Sequence, residues 1–306
     1  MTTPKRHHFI PKGILKGFTF DSKNKKIKAF DKLENKFFPP NIINAACVSR
    51  LYDFQDIKKS LEYEFFGKID GRGIDVIDKI RQSPGSYKMT PGEYESVVEY
   101  VASQICRTPT VLERSKRLNE TLEGQFGKDY SIVKDNAQDD FLNSVLHDTE
   151  KYCEILKKKK FRVYEERGNG EFIIGDSPVI SVHDGNVVEQ FKSYMFPVNN
   201  YDSFALPISP KLLLVFYEEN AFDNSFRIAS LNNTFQFFRA YRFVYGRCEK
   251  NLGRERKSYF ETAFDYVSSI RPEFVEREKI ERGQPIYLDQ ERILFSDELV
   301  EKIKSI

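Results

Sequence analysis

The chain has 306 residues, 40% hydrophobic and 31% charged, so it can bury a sizeable core and is too apolar for wholesale disorder. Lys and Arg number 48 against 46 Asp and Glu, a formal charge of +2, which argues against a polycationic nucleic-acid binder but allows a local basic patch. No apolar run approaches the ~18–20 residues of a membrane span, and the start of the chain lacks the apolar core of a secretory signal. A cytoplasmic protein with no membrane partner is the expectation. Cys47, Cys106, Cys153 and Cys248 are far apart and form no C-x-x-C pair, which predicts reduced core thiols rather than a zinc ribbon.

The first ~55 residues read as short strands and loops. Lys25–Asp31 alternates polar and apolar residues as a half-buried strand does, and Phe37-Phe38-Pro39-Pro40-Asn41 then halts regular structure. From Lys58 to Ile80 the pattern turns helical, with Leu61, Phe65 and Ile69 at helical steps and Val76, Ile77 and Ile80 continuing the stripe. Gly71 and Gly73 are expected to break or bend it. Thr90-Pro91-Gly92-Glu93 is a helix start, with Thr90 as N-cap and Glu93 completing a capping box. That helix should end near Arg107, before Thr108-Pro109. Another is predicted from Asp139 to about Lys159. Strands follow at 161–164, 172–174, 179–182 and 212–216, and then a helix carrying Leu231, Phe235, Phe238 and Tyr241. The pattern predicts an α+β fold, with a helical layer from the N-terminal half on a mainly antiparallel sheet from the C-terminal half. Residues 1–250 read as one domain, and 251–306 as a charged extension packed on the body.

Chemistry is signalled first by Arg6-His7-His8-Phe9-Ile10-Pro11, which holds two of only four histidines. On an extended segment His7 and His8 point to opposite faces, so one serves a site as base or metal ligand and the other supports structure. A plain alternative is one exposed and one hydrogen-bonded histidine. Asp176, in Gly175-Asp176-Ser177-Pro178, sits at a strand end, where it either holds a metal or orients a histidine, or merely caps a turn. Arg107, at a helix C-terminus, either complements the helix dipole or clamps a phosphate. Glu64 lies beside Phe65 and is placed either inward or on a solvated face. Arg6 and Lys12 are candidate substrate contacts. The chain has no Walker A loop, no G-x-G-x-x-G and no G-x-S-x-G.

These motifs, in order from residue 5 to about 247, resemble the DUF4238 family, mostly bacterial and uncharacterised. The shared segments are His7-His8-Phe9-Ile10-Pro11, Leu51-Tyr52, an acidic position around Glu64, Arg107-Thr108-Pro109, Asp176-Ser177-Pro178, Pro207-Ile208-Ser209-Pro210 and an Asn-led helix at Asn232 or Asn233. The resemblance implies that His7, His8, Arg107 and Asp176 belong to one site. A second resemblance, to the opening of HNH-type nucleases, is partial, because the next histidines are His147 and His183.

On this basis the expected function is metal-dependent phosphodiester hydrolysis on nucleic acid, as a nuclease of bacterial phage defence or a toxin. His7, His8, Asp176 and Arg107 would be catalytic, Arg6, Arg107 and Lys12 would bind substrate, and His8, Asp176 and Glu64 would hold a divalent Mg or Mn ion. The alternatives are a non-catalytic sensor of nucleotides, nucleic acid or phage protein, and a nucleotide-modifying enzyme.

Overall fold

The structure, a computed structural model, describes residues 5–54, 60–113, 116, 137–182, 203–218 and 222–269. The chain starts with strand β1 (Arg6–His8), the short helix α1 (Lys12–Lys16), and strands β2 (Lys28–Asp31), β3 (Lys36–Phe38) and β4 (Cys47–Ser49). A π-helical turn at Glu62–Phe66 leads into α2 (Gly67–Gln82), followed by α3 (Pro91–Cys106) and α4 (Ala137–Lys157). Strands β5 (Lys160–Glu165), β6 (Ile174–Gly175), β7 (Ile180–Val182), β8 (Ser203–Ser209) and β9 (Leu212–Tyr217) come next. Helix α5 (Phe222–Arg239), strand β10 (Phe243–Gly246) and helix α6 (Glu249–Ser269) complete the described chain.

The α+β expectation holds: helices pack on antiparallel sheets. One sheet runs β5-β9-β8-β7. Both of its faces are covered, which is why β8 and β9 read as nearly continuous apolar runs. Phe204, Leu206, Leu214 and Phe216 face the α2–α4 layer, meeting Tyr94 of α3 and Tyr152 of α4. Ala205, Leu213 and Val215 face Phe235 of α5. Strand β8 escaped the sequence pattern because Pro207 interrupts it, and a register shift between Pro207 and Ser209 absorbs that proline.

A second four-stranded sheet runs β3-β2-β10-β6, so two of its strands come from the N-terminal half and two from the C-terminal half. Phe37-Phe38 belongs to strand β3, and regular structure stops only at the prolines that follow. The face of this sheet bearing Phe30 and Val244 packs on Phe237 of α5 and Tyr259 of α6. The face bearing Ala29 and Tyr245 turns toward the larger core. Helix α6 therefore docks on the body through Leu252 and Tyr259, both buried. His183 and the chain from residue 270 onward lie outside the described residues.

Local signals explain the helices that frame the site. The Thr90–Glu93 capping box forms with both reciprocal bonds, and Arg107 is the C-cap of α3. Gly71 and Gly73 do not break α2, which is continuous from Gly67 to Gln82. Gly73 is instead a contact point: a Cβ there would sit 2.4 Å from Tyr100 Cβ, so its missing side chain lets α2 and α3 approach. The irregularity lies one turn earlier. Gly67 N–H donates to the Glu62 carbonyl five residues back, the π-type bond that inserts an extra residue into the turn.

That insertion resets the buried stripe. Leu61 is followed inward by Phe66 rather than Phe65, and then by Ile69 and Gly73. Two of the four cysteines, Cys106 and Cys153, are buried, whereas Cys47 and Cys248 keep partial exposure, and all four are free thiols. Among the described residues no helix is long and apolar enough to cross a membrane.

Candidate active site

Strand β1 pairs with β4, and its alternation sends His7 inward and leaves His8 half-buried on the other side. His7 has no exposed surface. Its Nδ1 accepts the Tyr52 backbone N–H at 2.9 Å, which leaves the proton of a neutral ring on Nε2, and Nε2 lies 3.5 Å from Asp53 Oδ1. The imidazole also stacks on the Tyr52 ring, with centroids 5.6 Å apart. Tyr52 in turn donates its phenol to the Arg107 carbonyl at 2.8 Å. His7 thus ties the start of the chain to the Leu51-Tyr52-Asp53 turn and, through Tyr52, to the end of α3.

Arg107 is fully buried. Its Nη2 donates to Asp70 Oδ1 at 2.6 Å, and its guanidinium lies 4.7 Å over the centre of the Phe66 ring. With its amide oxygen turned to the guanidinium, Gln104 accepts from Nη2 and Nε and donates to the Phe9 carbonyl at 3.2 Å. Burial opposes the arginine charge, but Asp70, Tyr52 and Tyr100 outweigh it and hold the guanidinium above its usual range. Arg107 Nη1 and the Tyr100 hydroxyl are buried without a hydrogen-bond partner.

Carboxylates complete the cluster. Burial pushes Asp70 up while Arg107 pulls it back. Glu62, on the π-turn, is pushed up to about 7, first by burial and then by Asp70 and Asp53, against the opposing pull of Arg107 and Lys12. A carboxyl with that value is part protonated at neutral pH, which suits it to proton transfer. Asp53 and Asp70 keep 25% and 20% of their side chains exposed, so the cluster opens to solvent on the carboxylate side while His7 and Arg107 close its base.

The other expected site residues fall elsewhere. His8 Nε2 meets the Ile43 carbonyl at 3.1 Å, and burial together with Lys12 and Arg6 lowers its pKa, favouring the neutral ring. Lys12 is exposed, and Arg6 is exposed and hydrogen-bonded to Asn44. Glu64 is exposed, the solvated of its two expected placements, whereas Glu62 on the same turn is half-buried.

Asp176 is buried on the second sheet. It accepts the backbone N–H groups of Tyr241, Arg242 and Phe243 at 2.7, 2.7 and 2.8 Å, clamping the turn between α5 and β10. Burial raises its carboxyl while those three bonds lower it. His8, Asp176 and Glu64 therefore do not converge as a ligand set, and among the described residues no group of three or more His, Cys, Asp or Glu side chains is placed to hold a metal ion. Of the four residues expected to act together, His7 and Arg107 share one cluster, and His8 lies on the opposite face of β1.

Asp53, Glu62, Asp70 and Gln104 were not singled out from the sequence. Asp70 carries a legible signal: it lies four residues after Phe66 and three before Gly73, a carboxylate on the inward stripe of an amphipathic helix. Glu62 gives a weaker signal, next to Leu61 and three residues before Phe65 on the predicted stripe.

The fold and cluster define an α+β protein built around a buried Arg–Asp pair with a protonatable glutamate at its mouth. A family model described as "Protein of unknown function (DUF4238)" matches residues 6–250, and the chain belongs to that family. No curated protein and no solved structure matches the chain.

Proposed function

We propose that the chain is a nuclease that cleaves RNA by acid–base chemistry, with Glu62 as the proton-transfer residue. The observation that carries this reading is the half-buried Glu62 beside the partly exposed Asp53 and Asp70 of a buried cluster, where burial pushes its carboxyl up to about 7. Exposed Lys12 acts on Glu62 electrostatically, and Lys5, Arg6 and Arg50 are exposed on the neighbouring β1–β4 pair. These cations supply a rim for phosphates. The residues expected to bind a divalent ion do not assemble, so no step is routed through a metal. RNA carries its own nucleophile. Ionised Glu62 takes the 2′-hydroxyl proton, the 2′ oxygen bonds to phosphorus, the bond from phosphorus to the 5′ oxygen breaks, and the leaving oxygen takes a proton from water at the open mouth, whose hydroxide takes the proton from Glu62 and restores the carboxylate. His7 and Arg107 are positioning residues in this scheme, because both are buried beneath the carboxylates.

The test is cleavage of labelled single-stranded RNA, tRNA and DNA by the full chain in EDTA, Mg²⁺ or Mn²⁺, beside Glu62→Gln. EDTA-resistant cleavage of RNA leaving 2′,3′-cyclic ends, absent in the variant and rising with pH through about 7, is the expected result. Cleavage unchanged in Glu62→Gln, or none of any substrate, overturns the proposal. Salt-sensitive RNA binding without turnover would favour a recognition module. Cleavage that needs Mn²⁺ or Mg²⁺ would restore the metal-assisted scheme with ligands other than those expected. In cells, growth arrest on expression that Glu62→Gln relieves would fit a toxin or phage-defence effector.

A further inference from the structure

A second concavity lies apart from Glu62. It is a half-open cleft of about 280 Å³ between the β3-β2-β10-β6 sheet and the loop around Asn44–Val48, closed at one side by Pro109. Sheet register builds its floor. Phe38 and Tyr245 both pair with Ala29, so the three share one face, and Phe243, two residues from Tyr245, shares it too. Asp176 follows Ile174, which pairs with Tyr245, and so lies at the end of the same face.

The opposite wall is held in place. Ala46 has a φ of 49°, a left-handed conformation that costs a non-glycine residue on the order of 1 kcal/mol or more. Its N–H donates to the Tyr245 hydroxyl at 3.1 Å, and its carbonyl accepts from Phe9 N–H at 3.0 Å. The first bond joins the wall to the floor and the second ties it to the chain just after β1, so little ordering remains for a ligand to induce.

The cleft's polar groups gather at one end. Arg242 donates through Nε and Nη2 to Asp31 at 3.0 and 2.8 Å, and its guanidinium lies 4.9 Å over the Phe243 ring. The Asp176 carboxylate takes three backbone N–H groups and retains acceptor capacity for one more donor. A mainly apolar cleft with phenyl rings meeting edge to face along its floor and a fixed carboxylate at one end suits an aromatic heterocycle with an N–H edge. The volume, just below the ~300–1,000 Å³ of drug-sized pockets, suits one fused ring system.

We propose that this cleft is a nucleobase-binding site, with the ring against Phe38 and Phe243 and its N–H edge toward Asp176. A base edge that presents one N–H donor to the carboxylate, such as the N1–H of guanine, matches that remaining capacity. The site stands whether or not the chain cleaves RNA, and it takes the base either of a free nucleoside or of a single strand.

Cys47 lines the cleft and keeps part of its surface, whereas Cys248, also part-exposed, does not line it. Alkylation of the two thiols in the full chain, resolved by peptide mass spectrometry, therefore reports occupancy without any turnover. The medium is mildly alkaline, because burial pushes the Cys47 thiol up. The probes are guanosine, a short guanine-containing single-stranded RNA and, as a non-aromatic control, cyclohexanol. Guanosine should slow Cys47 labelling and leave Cys248 unchanged. In Phe38→Leu/Phe243→Leu its half-protecting concentration should rise at least about fivefold, the low end for losing a base–aromatic stack. Protection by the RNA but not by guanosine would assign the site to a strand, and the reverse would assign it to a free ligand. Either supports the proposal. No protection by guanosine or by the RNA, equal protection by cyclohexanol, or undiminished protection in a folded double variant overturns it. Should the variant not fold, the comparison of guanosine, RNA and cyclohexanol on the wild-type chain decides alone. None of these outcomes depends on catalysis at Glu62.

Discussion

Replacing Asp70 by asparagine keeps the shape of the side chain and removes only its charge. The Arg107 guanidinium then remains fully buried with its counter-ion gone, since Asp70 is its ion-pair partner at 2.6 Å. Removing one member of a buried ion pair costs about 3–5 kcal/mol, because the surviving charge stays desolvated. Asp70 keeps 20% of its side chain exposed, so water relieves part of the penalty and the lower end, about 3 kcal/mol, is expected. Urea unfolding followed by far-UV circular dichroism measures it. With a slope of about 3 kcal/mol per molar, the midpoint should fall by about 1 M at unchanged slope. The double change Asp70→Leu/Arg107→Met should recover much of the loss, because an apolar pair of similar volume carries no desolvation cost. A midpoint shift under about 0.3 M for Asp70→Asn would equal that of an exposed pair and would refute the buried cluster.

Three further outcomes follow from the same physics. The Glu62 carboxyl is raised in the folded chain from an ordinary 4.5 to about 7, so its contribution to stability is full below pH 4.5 and is lost as pH rises through about 7. After allowance for its partial exposure, about 1–2 kcal/mol should disappear across that window, and Glu62→Gln should flatten the dependence in denaturation curves taken at several pH values. Gly73→Ala should destabilise by about 1–3 kcal/mol, since its Cβ would meet Tyr100 Cβ at 2.4 Å, whereas Gly71→Ala, facing open space, should stabilise by about 0.5–1 kcal/mol; thermal melts of the two variants separate them. Asp176→Asn turns an amide NH₂ toward at least one of three backbone donors and should cost about 2–3 kcal/mol in urea unfolding.

Much of the fold was legible because its causes are local. The Thr90–Glu93 capping box, the end of α3 before Pro109, the span of α4 and the alternation of β5 each depend on residues within a turn or two of one another. The opposite orientations of His7 and His8 also follow from strand geometry alone, and β1 displays them. Strand β8 was hidden by a proline that only a register shift against its neighbour accommodates, and β10 was missed because its pairing partners β2 and β6 lie far away in the chain.

The site divides the same way. The sequence by itself determined that His7 and Arg107 were worth attention, because a paired histidine and an arginine at a helix end are unusual in composition and position. Tertiary structure decided their roles. In the π-turn before α2, Glu62 is half-buried beside the cluster while Glu64 takes the solvated of its two expected placements. Asp176 became a clamp on the 241–243 backbone rather than a ligand, because its donors come from a segment 65 to 67 residues away. Pattern encodes which face of an element is buried; which charges then meet in that interior, and how far their protonation shifts, is set by desolvation and by partners from distant segments, which no local pattern records.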